Sequence, residues 1–328
     1  MSSPPPENQS PRRTFLAPHA TVNGLIEVVL LLAAICTVTG WFDRWHWILD
    51  LTVHFRVQYT ILLLAGTIWL AIRHRPGRAL LIFGLALLNL LIITPYAPTI
   101  RPDRQSEGIR LMLANVNAAN HNTVSLLHTL AQYNPDIIVI EELTPHWTSL
   151  LTNLNTYAHH IYETRNDCFG IGLFSRIPLH DPTIITIGRA EVPSIKATIT
   201  THLGTFTLIA THPLPPSGPD YSASRDLQLK SIPGILAPIR EPVILVGDLN
   251  VTPWSSAFRQ LLRSTGLHDS MRNRGIQPSW PAGCFPLRIP IDHVLHAPSI
   301  RILDRQVGPD IGSDHFPIIV DFVPPPDL

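Results

Sequence analysis

The apolar residues of this chain change their spacing once, near Ile109, and the two parts require different solvents. Before that point stand three long runs, Thr21 to Gly40, Val57 to Ile72 and Ala79 to Pro95. Each approaches the roughly 20 residues a helix needs to cross a hydrocarbon core, allowing for tilt and flanking residues. Beyond Ile109 the apolar runs are short and separated by turn residues. A cleaved signal peptide would explain only the first run, with Arg12 and Arg13 as its basic region, and would leave the other two. The expected organisation is a disordered cytoplasmic tail over 1–20, a three-helix membrane anchor over 21–96, a Pro-containing linker over 97–108 and a folded domain over 109–328.

Charge placement sets the expected orientation. Arg73, Arg75 and Arg78 crowd the turn between the second and third runs, on the same side as Arg12 and Arg13. Arg44 and Arg56, in the first loop, stand beside Asp43 and Asp50. The positive-inside bias puts the N-terminus in the cytoplasm and, after three spans, the folded domain outside the cell membrane, inner or plasma. Trp41, Trp45, Trp47 and Tyr96 then fall at the outer headgroup level. Residues 110–328 carry fifteen Lys or Arg against eighteen Asp or Glu, with only two lysines, Lys196 and Lys230. Nucleic acid is thereby disfavoured, since its binders present a basic face. The three cysteines, Cys36, Cys168 and Cys284, form no Cys-x-x-Cys pair, which argues against a zinc or redox motif. Whether Cys168 and Cys284 pair outside the cytoplasm is left open.

Short runs at 111–116, 137–140, 171–174, 195–200, 205–210, 243–246, 291–295 and 318–322 predict strands. Helical periodicity covers 123–133 and 222–236, with 255–264 as a third helix. Many strands with few helices point to an α/β sandwich without regular βαβ alternation. Polar residues gather at the strand ends: Asn115 and Asn117, Glu141 and Glu142, His212, Asp248 with Asn250, Asp292, and Asp314-His315. Such ends are where α/β proteins assemble their sites.

A hard divalent cation takes carboxylate and amide oxygens, which makes Asn115, Glu142 and Asp314 candidate ligands for Mg2+, with Mn2+ as an alternative. Asp248 is placed to accept a proton from, or align, an attacking water. Asn250 and His212 would donate hydrogen bonds to phosphate oxygens as charge builds. His315 would bind phosphate or assist the leaving oxygen, with Asp292 fixing its tautomer. Singly, each has an ordinary explanation, such as a turn cap, a solvated strand end or an Asx-turn. Their joint placement at successive strand ends carries the functional reading. Glu141, His293, His159-His160 and Asp167 are assigned no role, because nothing pairs them with this group.

The order of motifs resembles the endonuclease/exonuclease/phosphatase superfamily over about residues 109–324. Leu113-Ala-Asn115-Val-Asn117 is similar to its first motif, and Pro135-Asp136-Ile-Ile-Val-Ile-Glu141-Glu142 to its Pro-Asp-Ile-x-x-x-Gln-Glu. Gly170-Ile-Gly-Leu-Phe-Ser175-Arg176, Ala210-Thr211-His212, Gly247-Asp248-Leu-Asn250, Pro290-Ile-Asp292 and Gly312-Ser-Asp314-His315-Phe-Pro317 resemble the remaining motifs. The resemblance implies a two-sheet, four-layer α/β sandwich like that of DNase I and a metal-dependent phosphoric ester hydrolase. It also carries the metal-binding Glu onto Glu142 and the catalytic His onto His212. Glu141 departs from the pattern, standing where many members have Gln. With its three-span anchor, the chain looks most like bacterial membrane-anchored members, including a family associated with teicoplanin resistance. The expected partners are the lipid bilayer and a phosphorylated lipid or small molecule. An extracytoplasmic nuclease is the alternative.

Overall fold

The computed structural model describes residues 21–103 and 105–327. The expected disordered tail over 1–20 lies outside the described residues. The first part is helical: α1 (Val22–Thr39), α2 (Trp47–Val53), α3 (Arg56–Ile72) and α4 (Pro76–Ile93). Small residues let α1, α3 and α4 approach closely. Ala33, Leu63 and Ala86 form their shared core, and a Cβ on Gly66 would lie 2.2 Å from Leu30.

The sequence predicts three spans, and two helices, α1 and α4, are long and apolar enough to cross a membrane. The second run forms α3, which counts as a third span only when joined to α2 across a 61° bend. The bend has a polar cause. Arg56 opens α3, is buried, and donates to Asn89 Oδ1 and to the Gly40 carbonyl, each at 2.8 Å. The apolar helix starts only after that arginine has its partners, and α2 turns away to meet the rest of the protein.

The remainder runs β1 (Ile109–Asn115), α5 (Thr123–Tyr133), β2 (Ile137–Glu141), α6 (Pro145–Thr152), β3 (His159–Glu163) and β4 (Ile171–Ser175). It continues through β5 (Leu179–Thr186), β6 (Pro193–Thr201), β7 (Gly204–Thr211), α7 (Pro219–Leu236), β8 (Val243–Asp248) and α8 (Ser256–Thr265). It ends with β9 (His268–Asp269), β10 (Asp292–His296), β11 (Arg301–Val307) and β12 (Ile318–Val323). Two six-stranded sheets result, ordered β11-β12-β1-β2-β4-β3 and β5-β6-β7-β8-β10-β9. Both are mixed: β1 pairs parallel with β2, and β7 with β8, while the other pairs are antiparallel.

Alternation along each strand builds the layers. Leu111 and Leu113 of β1 point between the sheets, beside Val139, Phe206, Val246 and Phe322. Met112 and Ala114 point the other way, under α5 and α6. Leu245 and Ile209 lie on the outer face of the second sheet, beneath α7 and α8 with Leu229 and Phe258. The architecture is the expected α/β sandwich of two sheets flanked by helices. The ends of β1 and β2 from one sheet, and of β7 and β8 from the other, reach the same edge. There β2 is stitched to β8, because Glu141 Oε2 accepts from the Asp248 N–H at 2.9 Å.

The helical part is not joined to the sandwich by residues 97–108 alone. Asp50 of α2 accepts from Arg225 Nη2 of α7 at 2.7 Å and from Ser255 Oγ at 2.9 Å. His54 Nδ1 lies 3.0 Å from Thr252 Oγ1, and the His54 carbonyl accepts from Trp254 Nε1 at 2.8 Å. Val53 packs in one cluster with Tyr96, Trp254 and Met271.

Candidate active site

Positive-φ residues at the strand ends place the polar groups. Asn117, Glu142 and Asn250 all adopt left-handed backbone, with φ of 59°, 59° and 52°. Such single residues end a strand and aim the chain inward. Gly247, just before Asp248, has φ of 157°, and a Cβ there would lie 2.0 Å from the Thr211 carbonyl. Only glycine lets β8 come this close to β7 and hold Asp248 beside His212.

Asp248 is the centre of the group. His212 Nε2 and His315 Nε2 each lie 3.6 Å from its Oδ2. Its Oδ1 accepts from the Asn250 N–H at 2.9 Å, and the Asn250 amide donates to the Pro213 carbonyl at 2.9 Å. His315 Nδ1 donates to Asp292 Oδ2 at 2.9 Å. All four of Asp248, His212, Asp292 and His315 are buried.

Burial drives the Asp248 carboxyl upward, and the neighbouring Asp292 adds to the shift. For Asp292 burial pulls the same way, but the charge and hydrogen bond of His315 outweigh it and hold the carboxyl below its ordinary value. His315 feels burial as a downward pull, overcome by Asp292 and Asp248, and is raised to about 10. His212 is lowered to about 4 by burial and by the charge of His315. At neutral pH the site therefore holds one imidazolium and one neutral imidazole, on either side of one carboxyl.

Glu142 and Asn115 form a second locus. Asn115 Nδ2 donates to Glu142 Oε1 at 3.2 Å, and the Ala118 N–H donates to Oε2 at 2.8 Å. Burial still raises the Glu142 carboxyl, more than these donors lower it. Asp314 sits at the rim, accepting from Asn117 Nδ2 at 2.7 Å and from Trp280 Nε1 at 3.0 Å. The donor chemistry of Glu142, Asn115 and Asp314 fits a hard divalent cation, which is bound through oxygen. Among the described residues, one group of ligand atoms, from Asp248, Asp292 and His315, converges within 4.8 Å. Within that group Asp292 and His315 already pair with each other.

Every residue singled out from the sequence stands at this edge. Glu142, His212, Asp248, Asn250, Asp314 and His315 line one cavity of about 550 Å3, with Asn115 and Asp292 immediately behind. Three further residues belong with them. Glu141, assigned no role from the sequence, is fully buried, and its Oε1 has no hydrogen-bond partner among the described residues. Burial, then the charge of Asp248, pushes its carboxyl well up, and its Oε2 holds the Asp248 N–H in place. Ser313 donates to the Asn115 carbonyl at 2.8 Å and accepts from the His315 N–H at 3.0 Å, tying the first and last motifs together. Trp280 lies in an aperiodic Pro-containing loop, where no sequence signal marks it. His293 remains structural, bonded to the Val251 carbonyl at 2.8 Å. Cys36, Cys168 and Cys284 are free thiols.

The model of the Endonuclease/Exonuclease/phosphatase family matches residues 112–315. The chain belongs to that family. Its members are phosphodiesterases, nucleases or phosphatases, and generally depend on a divalent metal. Among solved structures, an endonuclease/exonuclease/phosphatase from Beutenbergia cavernae is similar at TM-score 0.56 and 18% identity, covering 67% of this chain and 72% of that one. D. rerio TDP2 complexed with single-strand DNA product gives 0.55 at 19% identity, covering 66% and 99%. The Neisseria 3' phosphatase NExo, bound to a product DNA hairpin, gives 0.52 at 20%, covering 65% and 99%. At these identities the likeness is one of fold. No curated protein matches the sequence.

Proposed function

We propose that this protein is a membrane-anchored, Mg2+-dependent phosphoesterase that hydrolyses a phosphate ester or pyrophosphate of an envelope lipid outside the cell membrane. The observation that carries the reading is the composition of the cavity: the catalytic side chains form one wall and residues of α2 and the α2–α3 bend form another. A site roofed by the apolar helical part suits a phosphate held at a bilayer surface better than a polymer in solution.

Asn115, Glu142 and Asp314 would hold the cation, which neutralises phosphate charge and polarises the phosphoryl oxygen. Asp248, raised to about 8 by burial and by Asp292, orients the attacking water and accepts its proton in the fraction that is ionised. His315, kept cationic by Asp292, faces the charge that develops on phosphate, and protonates the leaving oxygen. His212, neutral, and Asn250 orient non-bridging oxygens. The test is a screen of the full chain in detergent with Mg2+ against a lipid monophosphate, an isoprenyl pyrophosphate, a generic phosphodiester and plasmid DNA. Release of phosphate from a lipid supports the reading. DNA cleavage with no release from any lipid contradicts it.

An extracytoplasmic nuclease is the second reading. It is favoured by the DNA carried in the solved TDP2 and NExo complexes. The acidic balance of 110–328 stands against it.

A further inference from the structure

The cavity is charged on one side only. Its far wall is built by Leu51 and His54 of the α2 elbow and by Phe55 in the bend, none of which belongs to the catalytic motifs. Ile289 and Phe169 add further apolar lining to the same cavity, with the Phe169 ring 5.8 Å from that of His212. Leu51 and Phe55 are only half-buried although the residues between and around them, Val53, His54 and Arg56, are buried. Their free surface is what the cavity presents. The elbow cannot swing away cheaply, because Asp50 and His54 fix it to Arg225, Ser255, Thr252 and Trp254 on the sandwich.

A second apolar feature lies just before Ile289 in sequence. A single turn at Phe285–Leu287 exposes Phe285 at 77% and Leu287 at 50%. Gln58 Nε2 of α3 donates to the Arg288 carbonyl at 2.8 Å, which places that turn beside the first turn of α3. Exposed aromatic and aliphatic groups next to a membrane-length helix pair are a surface for the acyl–headgroup boundary. A charged wall and an apolar wall thus share one cavity, and an exposed apolar turn stands beside the first turn of α3.

We propose that the α2–α3 elbow is the specificity element of the site, with Leu51 and Phe55 receiving the hydrocarbon next to the phosphate of a substrate drawn from the bilayer. This rests on the lipid-phosphate reading above and adds which part of the chain selects the lipid. The helical part is then a component of the substrate site as well as an anchor. Water-soluble phosphates would use the catalytic wall alone and gain nothing from the elbow.

The experiment compares long-chain (dodecyl) and short-chain (ethyl) versions of whichever phosphate group turns over, using the full chain in detergent with Mg2+. The expected result is that Phe55→Ala and Leu51→Ala each lower the long-to-short ratio of kcat/KM by about tenfold, mainly through KM for the long chain. Leu91→Ala, on the exposed face of α4, leaves that ratio in place. A dodecyl phosphate carrying a diazirine near its headgroup should label the peptide spanning residues 51–55. Equal effects on both chain lengths, or labelling confined to other peptides, would overturn the elbow's role while the lipid-phosphate reading stands. Failure of every lipid phosphate to turn over would remove that reading first, and the elbow's role with it.

Discussion

The two walls of the cavity obey different rules. The catalytic wall is made of short polar groups at strand ends, some hydrogen-bonded, as Asp292 is to His315 at 2.9 Å, others 3.6 Å from Asp248. The elbow wall is made of side chains whose position depends on a docking contact 175 residues apart in sequence, between Asp50 and Arg225. As we propose, the first wall determines what bond is broken and the second determines whose bond it is. On that proposal chemistry and selection are carried by separate pieces of chain, which meet at Arg225, bonded both to Asp50 and to the Asn250 carbonyl at 3.1 Å.

Four experiments probe this separation. The largest effect is expected from the catalytic wall. Asp248→Asn or His315→Ala should lower turnover by about a thousandfold or more, equally for every substrate, because both remove proton transfer or charge stabilisation at the phosphorus centre. Steady-state phosphate release measures this, and unchanged turnover in both variants would remove the role assignments. Next is the metal: chelation should reduce turnover to baseline and added Mg2+ should restore it. Glu142→Gln should raise the Mg2+ concentration for half-maximal activity by roughly 10–100-fold, read from a metal titration of initial rates.

The third concerns the elbow. Arg225→Ala leaves Asp50 buried without its cation, a change that costs about 3–5 kcal/mol in buried ion pairs. Thermal unfolding of the purified chain should shift down accordingly, whereas Arg110→Ala, which breaks the more exposed pair with Asp321, should shift it by about 1 kcal/mol or less. Equal shifts would mean that the elbow is not docked as described. The smallest effect is at Glu141. Its raised carboxyl favours folding fully at low pH and loses that contribution as pH rises above the ordinary glutamate range. Glu141→Gln keeps the acceptor for the Asp248 N–H, so its melting temperature should exceed that of the parent by a margin that grows from pH 5 to pH 8. Glu141→Ala, which leaves the Asp248 N–H without its acceptor, should run about 1–3 kcal/mol below Glu141→Gln at all of these values. A margin that shrinks with rising pH would show that Glu141 is ionised.

What is legible in the sequence follows the same division. The central strands β1, β2, β4, β6, β7, β8, β10 and β12 announce themselves because most of their residues are buried, as in the unbroken apolar run Val243 to Val246. The edges do not. β5 carries Pro182, is mostly exposed and has a register shift between His180 and Thr183. β3 begins His159-His160, and β11 carries Arg301, Asp304 and Arg305 with a register shift after Ile302. Charge, proline and bulges keep edges from pairing with other chains, and they also erase the period of two. Helix α6 is short, only eight residues, and opens on a proline.

The site is legible because each motif packs its polar groups beside a strand that the apolar pattern already locates. The elbow is not. Leu51 and Phe55 sit among Trp47, Ile48 and Val53 in a stretch that reads as a loop between apolar runs. Nothing local distinguishes a residue facing lipid from one facing the cavity, because that depends on where Arg225 and Trp254 dock. Glu141 escapes notice for a related reason: a carboxyl next to a ligand carboxyl reads as a solvated neighbour until its burial is seen.

That both walls face each other across one cavity can be tested by chemical linkage. Cys168 lines the cavity from the sandwich side and Phe55 from the elbow side. In a Phe55→Cys chain with Cys36 and Cys284 replaced by serine, a short bis-maleimide should join positions 55 and 168 within one molecule and abolish turnover. Intact mass and proteolytic mapping would reveal the link. Two singly labelled thiols with no link, and activity retained, would mean that the elbow and the catalytic groups do not share a cavity.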